Sequence, residues 1–348
     1  MYFEDNKIYR IALDAMGGDF APINEIVGAI SLFDKKVPGT NVEIIFVGDE
    51  RKIKKTLEQY DISRLNYSIV NADEVISMSD DLTLALKKKG SSLHKGLSLV
   101  NEGVADAFVS AGNTGAVLSA STLILGRIHG VSRPTIGQLF PSKLKYPTLL
   151  LDVGANIDCK PRYLYEFAVM GSIYVSQILG IENPSVALLN IGEEASKGTD
   201  VIQQTFNLLQ NSQLNFIGNV EGRDIMSGEA NVIVCDGFTG NIVLKFAESV
   251  GSYLKHQFKS VASRFFLNKL LMLFSLPILR KIMKQFDYQE YGGVPLLGVN
   301  GVVIIGHGKS SPRAIMKMIQ KAIEFIQRDV NTKIERALNT KVVKENFR

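Results

Sequence analysis

The 348-residue chain has few of the residues that staple small folds or bind metals. Its two cysteines, Cys159 and Cys235, lie far apart, which excludes a disulfide framework. Its four histidines, His94, His129, His256 and His307, follow no ligand-like spacing, so no metal site is expected. No apolar run approaches the ~20 residues that a membrane-spanning helix needs. The opening MYFEDNKIYR carries acidic residues and no apolar core, so no signal peptide is predicted and the expected location is the cytoplasm. An excess of charge is also missing: 39 Lys and Arg against 35 Asp and Glu leave a net charge of +4. No basic motif is interleaved with aromatics, which argues against nucleic acid as a partner. A small anionic ligand, an acidic protein or an anionic membrane all fit this mild balance.

Familiar catalytic signatures are absent too. There is no G-x-S-x-G elbow, and neither cysteine has a histidine close in sequence, so a built-in acyl-enzyme nucleophile is poorly supported. No strand-like run leads into a full G-x-G-x-x-G. GHGKSS, Gly306–Ser311, resembles the tail of a P-loop, but Val303 stands where its first glycine is required. Lys309 and Ser310, at a helix start, suit a phosphate-like anion or a plain cap.

What is present is a 46% hydrophobic chain, enough for a sizeable core. Short apolar or β-branched runs at 11–14, 42–49, 66–72, 106–112, 148–156, 185–192, 215–220, 231–240 and 301–308 read as strands and their exits. Helical periodicity falls near 23–33, 50–59, 91–103, 114–126, 161–179, 199–211 and 240–258. This alternation predicts βαβ units and a largely parallel sheet covered on both faces. No repeat or linker interrupts it, so a division into domains would be two lobes sharing a sheet.

Many of these strands end in a Gly, Asp or Asn cluster followed by a helix, and ligands of open parallel sheets sit at those carboxyl ends. Glycine and Asx also make ordinary turns and helix caps there, so the weight lies on the combination. In Ser110–Ala116 the small residues around Gly112, Asn113, Thr114 and Gly115 leave the backbone N–H groups of a helix start free to cradle an anion. Asp152–Asn156 repeats the theme, and Cys235–Asn241 supplies Asp236, Thr239 and Asn241 at another helix start, where Asp236 also suits a cap. In Arg10–Pro22, Gly17 and Gly18 let the backbone approach a ligand. Asp14 and Asp19 are expected to hold loops or cap a helix, since acids repel phosphate. An anion held this way is itself a nucleophile, and the protein would orient it and stabilise the oxyanion formed on the attacked carbonyl.

Taken together, DAMGGDFAP, VSAGNTGA, LLLDVGAN, FIGNVEGRD, DGFTGN and YGGVPLLGVNG followed by HG resemble the PlsX family of bacterial phosphate acyltransferases, over nearly the whole chain. The resemblance implies a Rossmann-like layered α/β/α fold with a largely parallel sheet, similar to phosphotransacetylase and to the isocitrate and isopropylmalate dehydrogenases. It implies a homodimer that moves a long-chain acyl group from acyl carrier protein to inorganic phosphate, with no metal or organic cofactor. Within NIGEEASKGTD it assigns a catalytic role to Lys197, and within DGFTGN to Asp236 and Asn241. We expect Asn241 to donate a hydrogen bond and Asp236 to orient Lys197 or a loop. Gly17, Gly18, Gly112, Asn113, Thr114, Gly115, Asn156, Thr239, Gly240 and His307 are the expected phosphate or substrate contacts. The chain departs from the family pattern at Gly222, where alanine is common, around Lys197, and in DDLTLALKKKGSS, which lacks a proline. A dehydrogenase on the related fold and a non-catalytic acyl- or phosphate-binding protein are the other two readings.

Residues 263–286 are apolar on both sides of Pro277, which should split them into a helical hairpin. Lys269, Arg280, Lys281 and Lys284 fringe that apolar surface, a pattern shared by interfacial membrane helices and by hairpins buried at a dimer contact. The family's peripheral membrane association favours insertion through Phe266, Leu270, Leu271 and Phe274 at the inner face, delivering acyl phosphate to a glycerol-3-phosphate acyltransferase. The basic run at 86–96 is either a solvated face or a dock for an acidic carrier protein.

Overall fold

The computed structural model describes residues 7–34, 41–264 and 292–339. Along the chain run β1 (Ile8–Asp14), α1 (Ile23–Asp34), β2 (Asn41–Gly48), α2 (Glu50–Leu57), β3 (Tyr67–Asn71), α3 (Leu82–Lys87), α4 (Ser92–Asn101), β4 (Ala107–Ser110) and α5 (Thr114–Ile124). They are followed by β5 (Thr135–Phe140), β6 (Thr148–Leu151), α6 (Pro161–Tyr174), β7 (Ser185–Leu189), α7 (Asp200–Gln210), β8 (Asn215–Val220), β9 (Val232–Val234) and α8 (Gly237–Arg264). The chain closes with β10 (Val294–Leu297), β11 (Val302–Ile305), α9 (Pro312–Gln327) and α10 (Val330–Leu338). It forms two compact units, one from Met1–Gly137, Ile173–Glu182 and Gly292–Arg348, the other from Gln138–Ser172 and Asn183–Tyr291.

In the first unit the strands lie in the order β3-β2-β1-β4-β11-β10. The first five are parallel, with Ile11 opposite Ile44 on one side and Ala107 on the other. Their side chains are apolar on both faces, and Ile11, Leu13, Ile44, Phe46, Phe108 and Val109 are fully buried, as a sheet covered by helices on both sides requires. The chain steps outward from β1 to β2 to β3, then returns through α3 and α4 to place β4 on the other side of β1. Strand order therefore reverses between β1 and β4, and the handedness of crossovers sends α4 to the face opposite α1 and α2. Such a reversal parts the two strand exits and opens a crevice at their carboxyl ends.

In the second unit the order is β6-β9-β7-β8, all parallel. Leu149, Leu150, Leu151, Val186, Ala187, Leu188, Val232, Ile233 and Val234 form its buried centre. The exits of β6, β9 and β7 are neighbours although their sequence positions are far apart.

Each unit is thus layered α/β with a largely parallel sheet, as expected. Two antiparallel pairings were not expected: β10 against β11, and β10 against the start of β5 at Thr135 and Ile136. Pro295 in so short a run demotes it in a sequence reading. The helix at 161–179 ends in a π-helical turn at Val175–Leu179, α8 starts at Gly237 rather than 240, and α3 and α10 add to the expected set. Among the described residues no helix is long and apolar enough to cross a membrane. Phe266, Leu270, Leu271 and Phe274, with nearly all of the expected hairpin, lie outside the described residues.

Candidate active site

Three loops meet at the carboxyl ends of β1, β4 and β11 in the first unit. Asp14 ends β1, is 2% exposed, and accepts hydrogen bonds from Met16 N (3.1 Å) and Ser110 Oγ (2.7 Å). Ser110 ends β4, and its Oγ accepts Gly112 N at 3.0 Å, so a chain of polar contacts bridges the strand reversal. The loop after β1 is also fastened to the loop after β11, through Asp19 N to Gly308 O (2.8 Å) and Asn24 Nδ2 to Ser310 O (2.9 Å). Asp14 thus holds loops through its carboxyl, and Asp19 does so through its backbone N–H.

The glycines in this turn are forced by crowding. A Cβ on Gly17 would lie 2.5 Å from Asp14 Oδ2 and 2.9 Å from Gly112 N, and one on Gly18 would lie 2.4 Å from Glu25 Oε1. Asn113 caps α5 by accepting Ala116 N at 3.1 Å and donates to Met78 O at 3.2 Å. The first-turn N–H groups of Thr114 and Gly115 lack intrahelical acceptors by position, which suits them to an anion. Both ends of the Asn113 amide are therefore engaged within the protein, its oxygen in the cap and its NH2 on Met78 O. His307 Nδ1 accepts Lys309 N at 3.2 Å, which places the proton of the neutral ring on Nε2. Ser311, not Ser310, caps α9, and Ser310 is buried.

Glu25 was missed in the sequence, where it reads as an ordinary first-turn acid. It is 1% exposed beneath Gly18, and burial, helped by the charge of Asp14, pushes its carboxyl up to about 8.

The second unit brings together the exits of β6, β9 and β7. Asp152, fully buried at the end of β6, accepts Gly154 N (3.0 Å), Ala155 N (2.9 Å), Asn156 N (2.8 Å) and Asn156 Nδ2 (2.7 Å). Burial pushes its carboxyl above the ordinary range while these donors pull the other way. Asn156 O accepts Gly237 N at 2.7 Å, docking this loop on the start of α8. A Cβ on Gly240 would lie 1.8 Å from Asp152 O, so only glycine fits. The side chain of Asn241 flanks Gly154, whose Cβ position would be 3.6 Å from it. Asn156, Thr239, Gly240 and Asn241 are therefore contiguous.

Asp236 caps α8, accepting Thr239 N at 2.8 Å and Thr239 Oγ1 at 2.9 Å. Among the described residues no ion pair joins it to Lys197, and its side chain serves the first turn of α8. Lys197 is exposed in the loop after β7, next to β9 in the sheet. Asn190 Nδ2 donates to its carbonyl at 3.1 Å, and its stem flanks Gly192. Burial and the nearby acids push the Cys159 thiol up to about 12 and Cys235 well above its ordinary value. Neither supplies a thiolate at neutral pH. A separate cavity of about 310 Å3, lined by Ile30, Phe33, Asp61, Ser63, Arg64 and Leu65, lies at the amino ends of the strands and away from these exits.

Glycine-lined strand exits, with an exposed lysine and amides at those of the second unit, mark a layered α/β protein whose fold has known counterparts. A phosphotransacetylase from Streptococcus pyogenes matches with a TM-score of 0.61 at 19% identity, covering 93% of this chain and 95% of that one. A branched-chain phosphotransacylase from Enterococcus faecalis V583 matches at 0.56 and 15% identity, over 91% and 98%. The family model of the fatty acid synthesis protein matches residues 9–333. The phosphate acyltransferase of Dictyoglomus turgidum is 46% identical over 332 residues, 95% of this chain and 98% of its own length. That of Synechocystis sp. is 45% identical over 327 residues, 93% of each. The chain belongs to this family, PlsX, a family of acyltransferase enzymes.

Proposed function

We propose that the chain transfers a long-chain acyl group from the thioester of acyl carrier protein to inorganic phosphate, forming acyl phosphate for phospholipid synthesis. The observation that carries this reading is the set of exits after β6, β9 and β7, which offers a cation, an amide and a helix start but no nucleophile of its own. A phosphate oxygen attacks the thioester carbon, forming the new C–O bond. Lys197 and the amide of Asn241 stabilise the oxyanion, with Asp236 and Thr239 setting the start of α8. The C–S bond then breaks, and the carrier leaves as a thiolate that takes a proton from solvent. Within the first unit by itself, the N–H groups at Gly18, Thr114 and Gly115 are the donors offered to inorganic phosphate. Neither a dehydrogenase nor a non-catalytic binding protein is favoured by the relatives' names.

The same proposal includes a homodimer and peripheral attachment to the inner face of the membrane. The dimer is supported by Phe238, Phe246 and Tyr253, which recur along the outer face of α8 and are 60%, 69% and 61% exposed. Sedimentation of a monomer at micromolar concentration would remove it. Unchanged flotation on anionic vesicles after joint substitution of Leu270, Leu271 and Phe274 by serine would remove the membrane role. The acyl transfer itself is tested by incubating protein, acyl-acyl carrier protein and phosphate and trapping acyl phosphate with hydroxylamine. Thiol release that needs phosphate is expected; release indifferent to phosphate, or none, refutes the proposal.

A further inference from the structure

Glu25 and Asp14 are two buried carboxyls at the exit of β1 with opposite surroundings. Asp14 is ringed by donors, Met16 N and Ser110 Oγ among them. Glu25 Oε2 is buried with no hydrogen-bond partner among the described residues. Asp14 is the charged group that acts on Glu25. From α9, which lies along α1, the side chain met at Gly28 is the apolar Ile315, and the loop before α9 presents the backbone of Ser310 to Asn24. Two carboxyls that feel each other in a dry site do not both ionise near neutrality, and the donors decide which one does. Burial raises the Asp14 carboxyl too, but its donors favour its charged form, whereas Glu25 Oε2 has no partner among the described residues, so Glu25 is the one that keeps the proton longer.

We propose that Glu25 is a positioning residue that works in its neutral form, and that its ionisation weakens phosphate binding at the Gly17–Gly18 turn. This rests on the reading of that turn as part of the phosphate site. Met16 N and Gly17 N are spent on Asp14 and Asp19 N on Gly308 O, so the donor of the turn that a neutral carboxyl leaves for an anion is Gly18 N–H. A carboxylate there competes for that donor and repels a phosphate dianion. The objection that acids repel phosphate therefore holds for the ionised group only. Because the shifted value is about 8, the favourable form dominates below it and is lost above.

The test measures kcat and the KM for inorganic phosphate from about pH 6.5 to 9.5, with acyl-acyl carrier protein as donor. Phosphate is already mostly dianionic above pH 8 and adds no limb there. For the wild type the phosphate KM should rise about tenfold per pH unit above pH 8, while kcat at saturating phosphate changes less than about twofold. Glu25→Ala should raise KM throughout, and Glu25→Gln should rescue it and flatten the profile. A flat wild-type profile, or an alkaline limb that persists in Glu25→Gln, overturns the proposal and leaves acyl phosphate formation standing. If the variants do not fold, the wild-type profile decides alone. A wild type that makes no acyl phosphate at any pH refutes the proposed function, and this inference with it.

Discussion

Replacing Asp152 by alanine tests whether one buried carboxylate holds the β6 exit and the α8 start together. Four hydrogen bonds end on it, at 2.7 to 3.0 Å. Gly154 is exposed, so water can take over its N–H at little cost. Ala155 N and Asn156 N are partly buried, and each loses a charge-assisted bond worth about 1.5–3 kcal/mol. Water entering the vacated space returns part of that, which leaves a net loss of about 3–4 kcal/mol out of a total stability of about 5–15 kcal/mol. Asp152→Asn should cost about 2–3 kcal/mol, because its amide oxygen still accepts from one side while its NH2 opposes the donors of Asn156. The assay is the urea midpoint by circular dichroism, with hydrogen exchange read at Ala155 and Asn156. Because Asn156 O positions Gly237 N, kcat should also fall about 100-fold. An Asp152→Ala variant within about 0.5 kcal/mol of wild type, with unchanged exchange at those two amides, would refute the argument.

Two further outcomes follow from the same geometry. Gly240→Ala forces a methyl to 1.8 Å from the Asp152 carbonyl and should destabilise by about 3 kcal/mol or more, whereas Gly251→Ala, whose methyl meets nothing, should stabilise α8 by up to about 1 kcal/mol; equal urea midpoints for the two variants would contradict this. Glu25 has its folded value raised from 4.5 to about 8, so its contribution is full below pH 4.5 and fades as pH rises to 8. Relative to Glu25→Gln, the wild type should lose about 1.4 kcal/mol per pH unit across that window, and parallel urea midpoints at pH 5 and pH 8 would contradict it.

Local chemistry was legible without coordinates. The apolar runs that became β1, β2, β3, β4, β6, β7, β8, β9 and β11 announce themselves by composition, and Asp236, Thr239 and Asn241 lie within one turn of a helix start. Glycine at 17, 18 and 240 was visible, but the reason for it was not, because the atoms that exclude a Cβ come from Glu25, Gly112 and Asp152. β10 was hidden by its proline, and its antiparallel pairing depends on β5, which is distant in sequence. By itself the sequence determined element type, the acid and glycine content of each strand exit, and the absence of a reactive thiol motif. Only the tertiary structure decided that Asp14, Ser110 and Gly308 converge, that Asp236 serves the helix rather than Lys197, and that Glu25 is buried beside Asp14. The physical reason is that parallel strands pair without regard to sequence distance, and carboxyl burial depends on neighbours that strand order alone brings together.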